Sequence, residues 1–238
     1  MTLTHSGRIL IQYADQILQW VSDAKNAFHI PQGPLKLGST ESTAAVYLPE
    51  LLVKYHQHCP DVELSLTTAS SEQLMEQVLR HELDGAFIAG PVKHSDLNTT
   101  VFVKEELVLI SSIHQEPIRT PSDLQDLTLL VFHTGCYYRS LLEQWLRLEG
   151  IRPIKRMELG TLDGLLGCVR AGLGVALVSR SVAQNSKQIK LHPLPDDYRY
   201  ATTVYIQRND IQQTAAITHF MDLLNHSVDH HSKRKSCP

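Results

Sequence analysis

Two different patterns of hydrophobic positions divide this chain. Between residues 3 and 28, apolar residues recur at spacings of four and three, which predicts one long helix with a narrow apolar seam. Such a seam is typical of a helix that pairs with a second helix, so we interpret 1–30 as a dimerisation helix. The seam consists of Leu10, Ala14, Ile17, Val21, Ala24 and Phe28. Packing of this helix on its own domain is the alternative interpretation.

After a break at 31–34 with two prolines and a glycine, short apolar runs alternate with amphipathic segments. Apolar or alternating runs predict strands at 35–38, 62–66, 85–89, 106–111, 129–132, 155–159, 175–178 and 202–207. The amphipathic segments predict helices at 49–57, 70–81, 138–149, 162–171 and 211–224. Strands that alternate with helices form a largely parallel sheet covered on both faces. The polar residues 226–238 are expected to form a flexible tail.

The series of strands and helices runs twice, and each half opens with a strand, a turn of small polar residues and a helix. The first turn spans residues 39–42 and the second spans residues 134–137. The first N–H groups of a helix lack intrahelical partners, and hydroxyl groups beside them add donors. If the two halves oppose each other, both turns face one cleft that favours a small anion. Ordinary helix capping by these hydroxyl groups is the alternative.

Two charged residues lie beside these turns. Glu41 either selects a ligand that carries a positive group, or faces solvent and interacts favourably with the helix dipole. Arg139 lies just inside the second helix and supplies a charge-assisted hydrogen bond if it turns toward the cleft. Because neither turn contains a lysine or an arginine, we expect a small carboxylate or oxyanion with one or two charges.

Composition narrows the class of protein. The net charge of −3 and the pI of about 6.5 argue against a broad nucleic-acid-binding surface. The four cysteines lack CxxC spacing, which indicates reduced thiols rather than a disulfide framework. No apolar run approaches the roughly 20 residues that span a bilayer. The N-terminus also lacks the basic segment followed by an apolar segment that is typical of a secretory signal peptide. We therefore expect a soluble, cytoplasmic protein without a membrane partner.

The chain contains no specific catalytic constellation. It lacks GxSxG, a Walker lysine loop and HExxH, so we predict no enzyme, no cofactor and no bound metal. His56 and His58 have no companions at metal-ligand spacing and are interpreted as solvated side chains. Cys136 lies at a helix N-terminus, where a thiolate is favoured, and His133 is close in sequence. We nevertheless interpret Cys136 as a small residue that lines the cleft.

Several segments resemble the LysR-type transcriptional regulators over nearly the full chain. They include Gly33-Pro34-Leu35-Lys36-Leu37-Gly38 and Val169-Arg170-Ala171-Gly172-Leu173-Gly174-Val175-Ala176, with further matches at 3–7, 13–18, 48–52, 59–62, 83–87 and 135–139. The resemblance implies a linker helix followed by two Rossmann-like α/β subdomains with an effector cleft, similar to type 2 periplasmic binding proteins. Subdomain I then comprises 34–111 and 198–225, and subdomain II comprises 112–197.

The resemblance also implies where an effector binds and what the protein does. Carried over to this sequence, the effector-binding positions are Ser39, Thr40, Glu41, Ser42, Gly90, Thr134, Gly135, Cys136, Thr161 and Leu162, beside the Arg139 considered above. The family's helix-turn-helix is missing from the printed sequence, so DNA binding is expected only through that missing module. The implied function is effector sensing and oligomerisation, as a dimer or tetramer, in a transcriptional regulator.

Two other classes of protein remain as alternatives. A stand-alone solute-binding protein of a transport system has the same fold, but it is usually monomeric and does not need the apolar seam. An enzyme on this fold would show turnover that depends on Cys136 or His133.

Overall fold

The computed structural model describes residues 4, 13–14, 16–18, 20, 30–151, 155–184 and 186–233. At the N-terminus, residues 13–14, 16–18 and 20 are helical, as the seam pattern predicts. Ala14 and Ile17 of the seam are exposed. Most of the predicted helix at 3–28 lies outside the described residues, as do the seam positions Leu10, Val21, Ala24 and Phe28.

The first α/β unit follows the predicted alternation. In chain order it contains β1 (Gly33–Ser39), α1 (Glu41–Val46), α2 (Leu48–His58), β2 (Val62–Thr68), α3 (Ser71–Leu79) and β3 (Gly85–Ala89). Strand β1 pairs in parallel with both β2 and β3. Pro49 lies in the first turn of α2, where its missing N–H costs no helical hydrogen bond. The predicted capping box of Ser70 and Gln73 is present at the start of α3.

The second unit repeats this order. It contains β5 (Thr128–Val131), α4 (Tyr137–Leu148), β6 (Lys155–Glu158), α5 (Leu162–Arg170), β7 (Ala176–Ser179), α6 (Arg180–Ala183) and β8 (Ile189–Pro193), with a short 3-10 helix at Pro121–Leu124 before it and another at Asp196–Tyr198 after it. Strands β5 and β6 pair in parallel, and a bridge between Leu129 and Val175 joins β5 to the start of β7.

Two long strands connect the units. Strand β4 (Leu97–Ser112) pairs along its first part, Leu97 to Glu106, with β9 (Tyr200–Arg208), and from Leu107 onward with β7 and β8. The sheet order is β2-β1-β3-β9-β4-β7, with β8 also on β4. The sequence predicted a strand only at 106–111. A register shift between Val101 and Val103 interrupts the two-residue alternation, which explains why the first part was missed.

The C-terminal helix differs from its prediction at both ends. Helix α7 spans Ala215–Lys233, so it begins after residue 211 and includes part of the predicted tail. The Thr214 hydroxyl accepts a hydrogen bond from the N–H of Ile217, which fixes the helix start. Leu224 is fully buried, and beyond it the helix continues without an apolar pattern that the sequence could reveal. Residues 234–238 lie outside the described part.

Helices cover the sheet on both faces, as the alternation of strands and helices predicts. The prediction of a largely parallel sheet is wrong, however, because β9 pairs antiparallel with β3 and β4, and β4 pairs antiparallel with β7 and β8. In the first unit Phe220 of α7 packs among the rings of Tyr55, Phe87 and Tyr205, and all of these side chains are buried. In the second unit Trp145 of α4 belongs to the core that contains Leu107, Leu129 and Leu177. Across the described ranges, no helix is both long enough and apolar enough to cross a membrane.

His192 of β8 is a buried titratable group with two hydrogen-bond partners. Its side chain is 4% exposed, and its Nδ1 accepts a hydrogen bond from the N–H of Ile118 at 3.2 Å. The proton therefore lies on Nε2, which donates to the Ser111 hydroxyl at 2.8 Å. Burial, together with the charge of Lys190, lowers the pKa of His192 from its ordinary value of 6.5.

We expect His192 to make the protein less stable in mild acid. Below about pH 6.5 the unfolded chain binds a proton at this residue that the folded protein excludes, so the free energy of unfolding falls as the pH falls. Urea denaturation at about pH 7.5 and about pH 5.5 measures this decrease. His192→Gln should reduce the decrease, whereas His219→Gln on the exposed side of α7 should not. An equal decrease in His192→Gln and the parent would contradict this role.

Candidate functional site

A cavity of about 300 Å³ lies between the two subdomains, and we call it the cleft cavity. Subdomain I contributes residues that follow β1, β2 and β3, because the carboxyl ends of parallel strands meet at one edge of a sheet. Subdomain II contributes the turns before α4 and α5. The lining residues are Thr40, Glu41, Ser42, Thr68, Ala69, Ser70, Ser71, Gln73, Ala89, Phe132, His133, Cys136, Tyr137, Tyr138 and Gly160.

Several helices begin at the cleft cavity. Its lining includes the first residue of α1, α3 and α4, which are Glu41, Ser71 and Tyr137. Gly160 directly precedes Thr161, the N-cap of α5. The partial positive ends of these helices favour a negatively charged ligand group. The two turns at 39–42 and 134–137 thus both contribute residues to one cavity.

Two serine and threonine hydroxyl groups in the lining are available to a ligand. Within the described part of the chain, the side chains of Ser42 and Thr68 have no hydrogen-bond partner. The other serine and threonine hydroxyls are already engaged, since Ser70 belongs to the capping box of α3, the Ser71 hydroxyl accepts from the N–H of Ala89, and Thr40 donates to Thr43. Thr40 is the N-cap of α1, yet its side chain makes no capping hydrogen bond.

The charged groups around the cavity already have hydrogen-bond partners in the protein. The Glu41 carboxylate accepts a hydrogen bond from the N–H of Leu162 at 3.4 Å, so it reaches across to the start of α5. The Arg139 guanidinium bonds to Glu143, Glu158 and the carbonyl of Phe132, and it does not line the cavity. No lysine or arginine from the described ranges lines the cleft cavity.

His133 and Cys136 do not form a nucleophilic pair. His133 Nδ1 lies 2.6 Å from a carboxylate oxygen of Glu158, and hydrogen bonds from His133 and Arg139 lower the pKa of Glu158. Burial raises the pKa of the Cys136 thiol, and this effect exceeds the opposite effect of the N–H groups at the start of α4. The expectation that the helix N-terminus favours a thiolate is therefore wrong, because desolvation dominates. The described cysteines, Cys59, Cys136 and Cys168, are all free thiols.

The structure separates the sequence-predicted site residues into two groups. Thr40, Glu41, Ser42 and Cys136 line the cleft cavity. The others lie outside its lining, namely Ser39, Gly90, Thr134, Gly135, Arg139, Thr161 and Leu162.

The predicted residues outside the lining are buried, exposed to solvent, or engaged in other contacts. Ser39 is fully buried and donates to the carbonyl of Thr40, and Thr134 is exposed. The carbonyl of Gly135 accepts from the N–H of Glu72, and Thr161 caps α5. Leu162 is buried, and Gly90 lines a neighbouring cavity.

The turn after β2 was not predicted to contribute. Thr68, Ser70 and Ser71 line the cavity because β2 lies beside β1 in parallel and ends at the same edge. The capping box at Ser70 marks a helix start directly after a strand, which is the sequence signal that locates this turn. Its place in the cavity depends on the strand order.

Side chains at the crossover strands hold the two subdomains together. The hydroxyl of Tyr138, in α4, donates to the buried carboxylate of Glu105 at 2.6 Å. Next to it Glu106 binds Arg180 and Arg199, and although burial opposes the shift, these hydrogen bonds lower the pKa of Glu106. The start of α4, which lines the cavity, is thereby attached to the strand that both subdomains share.

The chain belongs to the LysR family, since residues 29–229 match the family described as the LysR substrate binding domain. Its class is therefore the effector-binding region of a LysR-type transcriptional regulator, with a periplasmic-binding-protein-like fold of two subdomains. Among its relatives is the HTH-type transcriptional regulator GltR of Bacillus subtilis strain 168, which is 43% identical over 236 residues. The match covers 97% of this chain and 79% of GltR.

Two solved structures show the same fold. The regulatory domain of CcmR from Synechocystis PCC6803, in complex with 2-PG, has a TM-score of 0.73 at 20% identity and covers 87% of this chain and 100% of that domain. The effector-binding domain of QuiR, in complex with shikimate, has a TM-score of 0.72 at 16% identity and covers 84% of this chain and 99% of that domain. These relatives favour a regulator over a solute-binding protein of a transport system.

Proposed function

We propose that this chain senses a small anionic metabolite in the cleft cavity, in the cytoplasm, and passes the signal on through the oligomer of a transcriptional regulator. The observation that carries this proposal is the meeting of helix N-termini and unpaired hydroxyl groups from both subdomains around one cavity. A ligand that contacts both sides binds the closed arrangement better than an open one. It therefore shifts the relative position of the subdomains.

The cavity supports a ligand of limited size and charge. Its volume of about 300 Å³ is at the lower end of the range for ligand pockets. Helix N-termini and the hydroxyls of Ser42 and Thr68 suit a carboxylate or another oxyanion, but a polyphosphate would lack cationic partners. Because Glu41 already occupies the start of α5, one or two negative charges are the most that this site can neutralise.

The strand pairing supports a division of the chain into two subdomains. The predicted limits are 34–111 with 198–225 for subdomain I and 112–197 for subdomain II. The change of pairing partner within β4 supports placing the first crossover at Glu106. The second crossover then lies near Arg199, immediately before β9.

A thermal-shift screen tests the proposed function. A metabolite that binds only the folded protein at 100 times its Kd adds about 2.7 kcal/mol, which raises the Tm by roughly 5–11 °C for a chain of this size. We expect small carboxylates or oxyanions to give such shifts. A screen in which only cations or uncharged compounds stabilise the protein would contradict an anionic effector.

We also expect the chain to associate through its N-terminal helix. Ile17 is helical and 55% exposed, and Leu18 and Trp20 beside it are exposed as well, so a second copy would cover this apolar surface. Light scattering should show a dimer or tetramer, and Ile17→Glu should weaken association. Gln16→Glu, at the neighbouring exposed helical position, is the matched control and should not. A strictly monomeric parent would contradict this part of the proposal.

Contact with DNA would come from a helix-turn-helix module outside these residues, and we propose no enzymatic turnover. Across the described residues, no group of three His, Cys, Asp or Glu side chains is placed to hold a metal ion. The raised pKa of Cys136 argues against a nucleophile at the cavity, and among the described contacts no hydrogen bond joins the side chains of His133 and Cys136.

A further inference from the structure

A second cavity of about 340 Å³ lies beside the cleft cavity, and we call it the side cavity. Its lining comes from the residues that follow β3 and from strands β4 and β9, including Gly90, Thr99, Tyr200 and Thr202. Tyr137 is the one described residue that lines both cavities. The side chain of Tyr137 therefore stands between the two spaces.

The backbone of Gly90 allows the Tyr137 ring to lie in this position. A Cβ added at Gly90 would lie 2.6 Å from Cδ2 of Tyr137, so only a glycine lets the ring approach this closely. Gly90 also has a φ of +106°, which other residues rarely adopt. Its N–H donates to the carbonyl of Thr202, which holds this backbone against β9. The fold thus holds in place both groups that separate the two cavities, the ring of Tyr137 and the backbone of Gly90.

We propose that Tyr137 sets the maximum length of the effector by closing the cleft cavity toward the side cavity. This inference rests on the proposed function, because it concerns ligands of the same site. A ligand that fits the cleft cavity ends against the ring of Tyr137. A longer ligand reaches the side cavity only when the ring is removed.

The side cavity has charges that suit the far end of a longer anion. Lys104 Nζ lies 4.7 Å above the ring of Tyr200, which lines the side cavity, and the Arg199 guanidinium lies 5.6 Å from the same ring. Arg199 is paired with Glu106, so Lys104 is the cation that brings positive charge near the side cavity. No lysine or arginine of the described residues lines the cleft cavity. Linear dicarboxylic acids of increasing length are therefore the most direct probes.

The experiment compares the parent, Tyr137→Ala and Tyr137→Phe with linear dicarboxylates of about three to eight carbons, by thermal shift and calorimetry. Each buried methylene contributes about 0.8 kcal/mol, or roughly fourfold in Kd. We expect the longest acids to bind Tyr137→Ala at least about tenfold more tightly than they bind the parent. Tyr137→Phe keeps the ring and should retain the parent's dependence on length. If dicarboxylates of the same length bind best to the parent and to Tyr137→Ala, the proposal that Tyr137 limits the length of the effector is overturned.

A crystal structure of Tyr137→Ala separates this inference from the proposed function. If no dicarboxylate binds either protein, the crystal structure alone decides whether Tyr137 separates the two cavities, and the thermal-shift screen decides whether the effector is an anion. A continuous space from Thr68 to Thr202 would support the role of Tyr137. Neighbouring side chains that refill the space of the ring would overturn it.

Discussion

We expect replacement of Ser42 with alanine or of Thr68 with valine to weaken effector binding by about 10- to 150-fold. These hydroxyls line the cleft cavity and have no partner within the described part of the protein, so a bound anion would be their acceptor. A hydrogen bond to a charged group contributes about 1.5–3 kcal/mol, which gives this range of Kd. Calorimetry with the best ligand from the thermal-shift screen measures the change.

The fold supplies a matched control for this prediction. Thr134 was predicted from the sequence to contact the effector and is exposed like Thr68, but it lies outside the cavity lining, which includes Thr68. Thr134→Val makes the same chemical change as Thr68→Val and should leave the Kd within about twofold. Equal weakening by both variants would show that the effector lies toward the 134–137 turn rather than against β2.

Gly174→Ala should destabilise the protein by about 3 kcal/mol or more. A Cβ at this position would lie 2.1 Å from the carbonyl oxygen of Thr128, and a backbone atom cannot move aside as a flexible side chain can. The same segment is fixed by hydrogen bonds from the N–H of Val175 to Thr128 and from the N–H of Leu130 to Val175. Forcing these strands apart costs free energy as overpacking does.

Chemical denaturation of Gly174→Ala and Gly167→Ala tests this explanation. Gly167 lies within α5, and an added Cβ there meets only the far end of Arg170 at 4.0 Å. Gly167→Ala should therefore stabilise the protein by about 0.5–1 kcal/mol, through the helix propensity of alanine. If Gly174→Ala is as stable as the parent, the close approach of the Thr128 carbonyl to residue 174 does not require a glycine at that position.

The α/β class was predictable because central strands such as β3 are buried on both faces. Every residue of Gly85–Ala89 is buried, and a strand of this kind appears in the sequence as an unbroken apolar run. The capping box at Ser70 was predictable for a different reason, since both of its side chains act on the nearest turn of their own helix. Local interactions of this kind need no knowledge of the remaining chain.

The first part of β4 was not predictable from its pattern. Phe102 and Val103 are both buried although they are neighbours, because a bulge places both residues toward the interior. This irregularity occurs where β4 pairs with β9, about a hundred positions later in the chain. No window of local sequence contains that partner.

The sequence by itself determined the order of most strands and helices, although not β8 or the first part of β4. It also determined the resemblance to the LysR family and the helix-start turns that meet at the cavity. Hydrophobic periodicity and helix capping depend on residues that are close in sequence, so both can be recognised from the sequence alone. Only the tertiary structure decided that Thr68 and Ser71 join Ser42, since this depends on β1 and β2 ending at one edge. It also decided that Arg139 binds Glu158 and Glu143, because the direction of a long side chain follows the charges that packing places around it.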